Sequence, residues 1–405
     1  MRYDFDERVD RRGSDSVKWS HYPGDVLPLW VADMDFRSPQ PVIEALRERA
    51  EHGIFGYSRP SPRLTQLLRA RLGKLYGWEV AEPDVVYLPG IVTGLNVAIQ
   101  AFTAPGEGVL AQPPVYFHLL RDPVQHGRVL ADPPLAPSGD GYEIDFERFE
   151  RAITPATRLF LLCNPHNPVG RVWTEMELRR LGDICLKHDV LVLSDEIHFD
   201  MVLPGHRHIV YATLGEAYAQ RSVTFSAPSK TFNLAGLKTS YVIIPEEGIR
   251  ERFKEHMRKI SAGSPTILGF KACEIAYTKC LDWLDQVVAL VDKNRRFVED
   301  YCQRHIPEIR PYPMEGTYLQ WLDCSSLQLN DDQLKDLLWG RAYFFASPGR
   351  MFGEGGEGVI GLVSQNVAVC QEEDAGAAGG LRGEVPAAVE ELPGDLEGDE
   401  GLAGA

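Results

Sequence analysis

The sequence predicts an α/β protein, with a mostly parallel sheet between helices in a large domain joined to a smaller α/β lobe. Three observations carry this reading. Apolar runs such as RLFLLC (158–163) and VLVLS (190–194) are continuous rather than alternating, the pattern of strands covered on both faces. These runs alternate with helix-like segments, the order that builds parallel sheets. Polar residues gather just after the runs, and in such sheets ligands bind outside the carboxyl ends of the strands.

In chain order, DVVYLP (84–89) is the first strand and helical GIVTGLNVAIQAF (90–102) follows it. GVLAQ (108–112) leads into PPVYFHLL. RLFLLC ends at NPHNPVG (164–170), and EMELRRLGDICLKH (175–188) forms the next helix. VLVLS ends at DEIHFD (195–200), and SVTFS (222–226) ends at APSK (227–230). TSYVIIP (239–245) precedes a long helical stretch from about 247 to 304. GTYLQWLD (316–323) reads as a strand of the smaller lobe, against which the N-terminal 40 residues pack. The expected boundaries are 46–282 for the large domain and 1–45 with 283–370 for the small lobe. Residues 371–405 hold ten acidic residues, one arginine, eight glycines, seven alanines and no aromatic residue. That is the composition of a disordered or aberrant tail.

Bulk properties exclude several classes. A length of 405 residues suits two domains. A net charge of −16 argues against a nucleic-acid or anionic-membrane partner. No run of about 18 apolar residues is present, so no membrane span is expected, and the charged N-terminus lacks the apolar core of a signal peptide. The seven cysteines are scattered and form no C-x-x-C pair. They predict buried thiols in a reduced, cytoplasmic protein without a metal site.

The candidate chemistry begins at Lys230. A lysine after a strand is ordinarily a solvated surface residue. As a Schiff-base nucleophile it needs a pocket that lowers its pKa, so that the neutral amine can attack a carbonyl. Asp195 ends a fully apolar run, where a carboxylate is costly unless paired. It is either a helix cap or the partner of a protonated pyridine nitrogen, as in pyridoxal phosphate chemistry. The helix start at Ile91 and Val92 offers free N–H groups to a phosphate, although most such turns bind nothing. Tyr116 is a stacking candidate or a core tyrosine, and Asn167 a turn-former or a donor to a ring hydroxyl.

The order and spacing of N-P-x-G (167–170), S-D-E-I-H (194–198) and S-K-T-F-N-L-A-G-L-K (229–238) resemble the fold-type-I pyridoxal phosphate enzymes, the aspartate-aminotransferase-like superfamily. FDERVDRRGSDSVKW (5–19), LPLWVADMDF (27–36), HGIFGYSRPSP (52–62), LCNPHNPVGRVW (162–173) and LSDEIHFD (193–200), with GTYLQWLD, resemble its cystathionine β-lyase/C–S lyase branch. The resemblance covers residues 1 to about 358. It implies a seven-stranded-type sheet in the large domain and pyridoxal 5′-phosphate as cofactor. Lys230 is then the covalent anchor, which also moves the proton between substrate Cα and leaving group. Asp195 keeps the pyridine nitrogen protonated, Asn167 bonds the ring hydroxyl, His198 stands near it where many relatives have tyrosine, and Tyr116 stacks on the ring. The 90–92 turn, Ser229 and Lys238 hold the phosphate, Lys238 standing where aminotransferases usually carry arginine. Tyr57 reaches the phosphate of the neighbouring subunit in a homodimer. The implied reaction is α,β-elimination on cystathionine or cysteine-type amino acids, giving pyruvate, ammonia and a thiol. An aminotransferase on the same scaffold is the alternative.

One stretch departs from the family. Its small lobe carries an arginine for the substrate carboxylate in a strand reading G-F-x-R-L-N-x-A-C, whereas this chain reads GEGVIGLVSQNVAVC (356–370). With Gly358 aligned, Gly361 stands at the arginine position and Val363 at the asparagine position. Without a bidentate clamp, turnover on amino acids is expected to be slow. A pyridoxal-phosphate-binding protein of low activity is therefore a further reading.

Overall fold

A computed structural model describes residues 2–21 and 26–363. The acidic stretch 371–405, Cys370 and the expected end of the small lobe from 364 onward lie outside the described residues. Seven strands form the main sheet: β1 (Val85–Leu88), β2 (Gly108–Leu110), β3 (Val129–Ala131), β4 (Thr157–Cys163), β5 (Leu191–Asp195), β6 (Ser222–Ser226) and β7 (Ser240–Ile243). Their spatial order is β3-β2-β4-β5-β6-β7-β1. Neighbours are parallel except β7, which is antiparallel to both β6 and β1. Because β7 turns straight back along β6, the 227–239 connection stays at one end of the sheet. Lys230 leaves β6 there and Lys238 enters β7 there. Strand β3 escaped the sequence reading because it is a half-exposed edge strand with no buried apolar run.

Alternation along the central strands separates two cores. Leu159, Leu161 and Cys163 of β4 join Leu191 and Leu193 of β5 against helix α1 (Ile91–Phe102). Phe160, Leu162 and Val192 face the opposite way, onto Leu178 and Leu181 of helix α2 (Glu175–Lys187). Continuous apolar runs thus serve two helical layers at once. Helix α2 starts at a capping box in which Thr174 and Glu177 satisfy each other's backbone N–H groups.

The expected long helical stretch from 247 to 304 is divided into Glu247–Lys259, Ile267–Lys279 and Leu281–His305. Ser261 and Gly263 adopt left-handed backbone (φ 53° and 78°) and Pro265 cannot continue a helix. The Thr266 hydroxyl then accepts from the Gly269 N–H at 3.0 Å and restarts it.

The second sheet is antiparallel: β8 (Arg310–Pro311), β9 (Leu319–Asp323), β10 (Ser347–Pro348) and β11 (Val359–Val363), in the order β8-β9-β11-β10. The N-terminal segment attaches here. Leu27–Pro28 pairs with Phe344–Phe345, and the Val363 N–H donates to the Leu29 carbonyl at 2.9 Å.

Helix α1 approaches the sheet closely at Gly94, where an added Cβ would lie 2.4 Å from Leu88 Cδ1 and 3.0 Å from Phe225 Cε1. Overpacking of this kind costs about 1–3 kcal/mol, against a helix-propensity gain of about 1 kcal/mol. Gly94→Ala should therefore lower stability in urea unfolding, and a variant more stable than the parent would contradict this packing.

Candidate functional site

The carboxyl ends of β1, β2, β4, β5 and β6 open on one cavity of about 280 Å³. Every sequence-derived candidate except Tyr57 lines it: Ile91 and Val92 beyond β1, Tyr116 beyond β2, Asn167 beyond β4, Asp195 and His198 at β5, and Ser229, Lys230 and Lys238 in the 227–239 turn. Tyr57 is fully exposed within its own chain, on the 52–60 loop beside exposed Ile54 and Phe55.

Asp195 reaches the cavity by strand alternation. It shares the face of Leu191 and Leu193 and pairs in register with Cys163 and Phe225. It is 3% exposed, and burial pushes its carboxyl up to about 7, against the Ile197 N–H that donates to Oδ1 at 3.2 Å. The adjacent Glu196 has the opposite fate. Its carboxylate turns away and accepts from the Ser194 hydroxyl (2.8 Å) and the Tyr211 N–H (3.0 Å), with His208 Nε2 at 2.8 Å. Only three-dimensional placement separates these neighbouring acids.

The His198 ring meets Tyr318 edge-on, with centroids 5.4 Å apart. Burial, reinforced by Lys230, brings its imidazole down to about 3, so the ring is neutral. His198 Nδ1 and Asn167 Oδ1 are buried without a hydrogen-bond partner among the described residues. Lys230 sits in the one-turn helix Pro228–Thr231. Its Nζ donates to the Ala32 carbonyl at 3.0 Å. Burial holds the amine below the ordinary lysine range; Asp33 and Asp195 oppose that shift and Lys238 reinforces it.

These residues suit pyridoxal phosphate. Gly90 gives α1 no side-chain cap, so the first-turn N–H groups at Ile91, Val92 and Thr93 have no partner within the helix. Such a terminus suits a phosphate. The buried Asp195 suits a protonated ring nitrogen, and the unpartnered polar atoms of Asn167 and His198 suit a ring substituent.

The small-lobe wall is formed by Leu319, Ser347, Phe352 and Gly361. Gly361 thus occupies a cavity position, and a Cβ there would meet Trp321 Cζ3 at 3.2 Å. Val363 is buried and pairs with Leu319. Among the described residues, no arginine lines the cavity. Sequence reasoning did not single out Thr93, Ala32 or Tyr318. Counting the orphan N–H groups of a helix's first turn would have found Thr93. Ala32 acts through its backbone carbonyl, and Tyr318 looks like any tyrosine in an apolar strand.

The raised Asp195 has a consequence for pH. An acid that moves on folding from near 4 to about 7 is protonated more readily in the folded chain. Its stabilising contribution is complete below pH ~4 and is lost as the pH rises to about 7. Across that window the melting temperature of the cofactor-free protein should fall relative to that of Asp195→Asn. His198 contributes with the opposite sign and cancels in the difference. Parallel melting curves for the two proteins would remove the buried-acid assignment.

The aminotransferase class I and II family matches residues 24–366. The cystathionine β-lyase PatB of Bacillus subtilis is 40% identical over 364 residues, spanning 88% of this chain and 94% of its own. Cystalysin from Treponema denticola, whose structure contains a pyridoxal 5′-phosphate cofactor, superposes with a TM-score of 0.88 at 36% identity, covering 91% of this chain and 96% of its own. The pyridoxal-phosphate-bound C–S lyase of Staphylococcus hominis superposes at 0.84 and 30% identity, covering 90% and 94%. A fold-type-I scaffold, a cavity suited to pyridoxal phosphate and these likenesses lead to one conclusion: the chain belongs to the aminotransferase class I and II family, in its cystathionine β-lyase/C–S lyase branch.

Proposed function

We propose that this protein is a pyridoxal-phosphate-dependent C–S lyase that cleaves thioether amino acids of the cystathionine or cysteine-conjugate type. The observation that carries the reading is the meeting of Lys230 and Asp195 in one cavity, in a chain whose relatives include C–S lyases. With L-cystathionine and water, the products would be homocysteine, pyruvate and ammonia.

The cofactor, when bound, supplies an electron sink that lets a Cα–H proton leave. The protein's own residues do the rest. Lys230 anchors the cofactor, takes the proton from substrate Cα and returns it to the departing sulfur. Its burial favours the neutral amine that this work requires. Asp195 keeps the ring nitrogen protonated, since the cation placed against it restores its charge in an otherwise apolar setting. Asn167 and His198 would hold the ring hydroxyl, and Tyr116 would offer its face to the ring. Ser229, Lys238 and the N–H groups at Ile91 and Val92 hold the phosphate. Lys238 serves as a point charge without the fork of an arginine. Exposed Ile54, Phe55 and Tyr57 support a homodimer in which the partner subunit's Tyr57 reaches the phosphate. No helix among the described residues is long and apolar enough to cross a membrane, and the proposed setting is the cytoplasm.

Gly361 at the cavity wall favours one second reading, a cofactor-binding protein of low activity. A single assay separates the two. Purified protein with pyridoxal phosphate and L-cystathionine should release pyruvate and thiol in equal amounts, without an added keto-acid acceptor. Lys230→Ala should lower that rate by about 10²–10⁴-fold or more. A cofactor absorbance band with no product would leave the low-activity reading, and product that depends on an amino acceptor would indicate transamination. If the partner subunit's Tyr57 holds the phosphate, Tyr57→Phe should bind the cofactor roughly tenfold less tightly, the effect of about one charge-assisted hydrogen bond. Unchanged affinity would exclude it.

A further inference from the structure

The Lys230 amine is held from an unexpected direction. The Ala32 carbonyl accepts from Lys230 Nζ at 3.0 Å and from the Tyr318 hydroxyl at 3.0 Å, so both of its lone pairs are engaged. The segment bearing this carbonyl is locked on both sides. Asn233, three residues after Lys230, accepts from the Met34 N–H (3.0 Å) and donates to the carbonyls of Met34 (3.0 Å) and Phe36 (3.1 Å). The Ser38 hydroxyl returns a bond to the Asn233 carbonyl at 2.8 Å. On the outer side, Arg11 pairs with Asp33 (2.7 Å) and Asp35 (2.5 Å). The fully buried Lys18 ammonium pairs with Asp35 at 2.6 Å and donates to the Asp33 carbonyl at 3.1 Å. A carbonyl so tightly fixed is a poor place for chance contact and a good place to aim an amine.

We infer that the Ala32 carbonyl is the docking point of the Lys230 amine whenever that amine is not covalently engaged, and that Tyr318 is a positioning residue that aims this carbonyl. Covalent capture of the cofactor forms a C=N bond between Nζ and the aldehyde carbon. Both hydrogens of the neutral amine leave with the carbonyl oxygen as one water. The reaction requires Nζ at a defined place and angle, and a misplacement of about 1 Å can cost a hundredfold in rate. One hydrogen bond to a fixed acceptor leaves the nitrogen lone pair free while restricting the long side chain. Tyr318 also packs edge-on against His198, itself a cavity residue, so the same side chain touches the lining of the site and sets the carbonyl.

The inference rests on the reading of Lys230 as the cofactor anchor. Its test is the rate of covalent capture by cofactor-free protein at saturating pyridoxal phosphate, followed by the absorbance of the bound cofactor and by borohydride trapping. Tyr318→Phe keeps the ring and removes only the hydroxyl. It should slow capture at least fivefold. Added to Lys230→Ala, it should leave the non-covalent affinity for pyridoxal phosphate within twofold. Asn233→Asp, which turns two donated bonds into oxygen–oxygen repulsion, should slow capture likewise and serves should Tyr318→Phe not fold. Capture at the parental rate in these variants would overturn the inference, as would an equal loss of non-covalent affinity in the Lys230→Ala background. Failure of the parent itself to trap cofactor at Lys230 would overturn the anchor reading and this one with it.

Discussion

At the end of a central strand that is buried on both faces, Asp195 shares one cavity with the buried Lys230 amine. Low polarity acts on the two groups in opposite senses and to the same end: the carboxyl is pushed up towards neutrality and the amine is pushed down towards it. The pair costs less folding energy as two neutral groups than as a separated ion pair in an apolar setting. In the proposed function, a ligand carrying a protonatable ring nitrogen would restore the charge on Asp195. Burial therefore shifts both groups, and the same shifts would suit them to that ligand.

Topology makes the confrontation possible. Parallel strands β4, β5 and β6 place Asn167, Asp195 and Lys230 at one end of the sheet, because each chain segment emerges in the same direction. The single reversal at β7 brings Lys238 back to that end eight residues after Lys230. The uncapped start of α1 completes a polar rim around an apolar floor. The contributing residues come from several elements and the loops that follow them, so the site exists only when the sheet is assembled.

The far wall depends on residues distant in sequence. The N-terminal segment crosses to pair with Phe344–Phe345 and to receive a bond from Val363, and its Ala32 carbonyl meets Tyr318, 286 residues away. Ion pairs from Arg11 and Lys18 hold that crossing segment in place. They are interlinked through Asp33 and Asp35, with Lys18 buried and Arg11 partly exposed. Gly361 contributes to the same wall by what it lacks, a side chain against Trp321.

Much of this was legible in the sequence. Continuous apolar runs marked strands with two covered faces, and nine of the ten candidate residues named from the sequence, Lys230 and Asp195 foremost, line the cavity. These are local signals, since a strand's burial is written in its own residues and a parallel sheet puts its functional residues at strand ends. Other features needed the tertiary structure. Edge strand β3 carries no buried pattern, and the breaks at Ser261 and Gly263 depend on backbone conformations that composition only hints at. Which of Asp195 and Glu196 enters the cavity is decided by the sheet's two faces. The Ala32 carbonyl has no side-chain signature at all, and Tyr318 gains its place from a strand on the second sheet. The sequence by itself determined most of the elements, the family and the chemical groups. Tertiary structure decided which of those groups meet, because meeting depends on contacts whose partners lie hundreds of residues apart and leave no local trace.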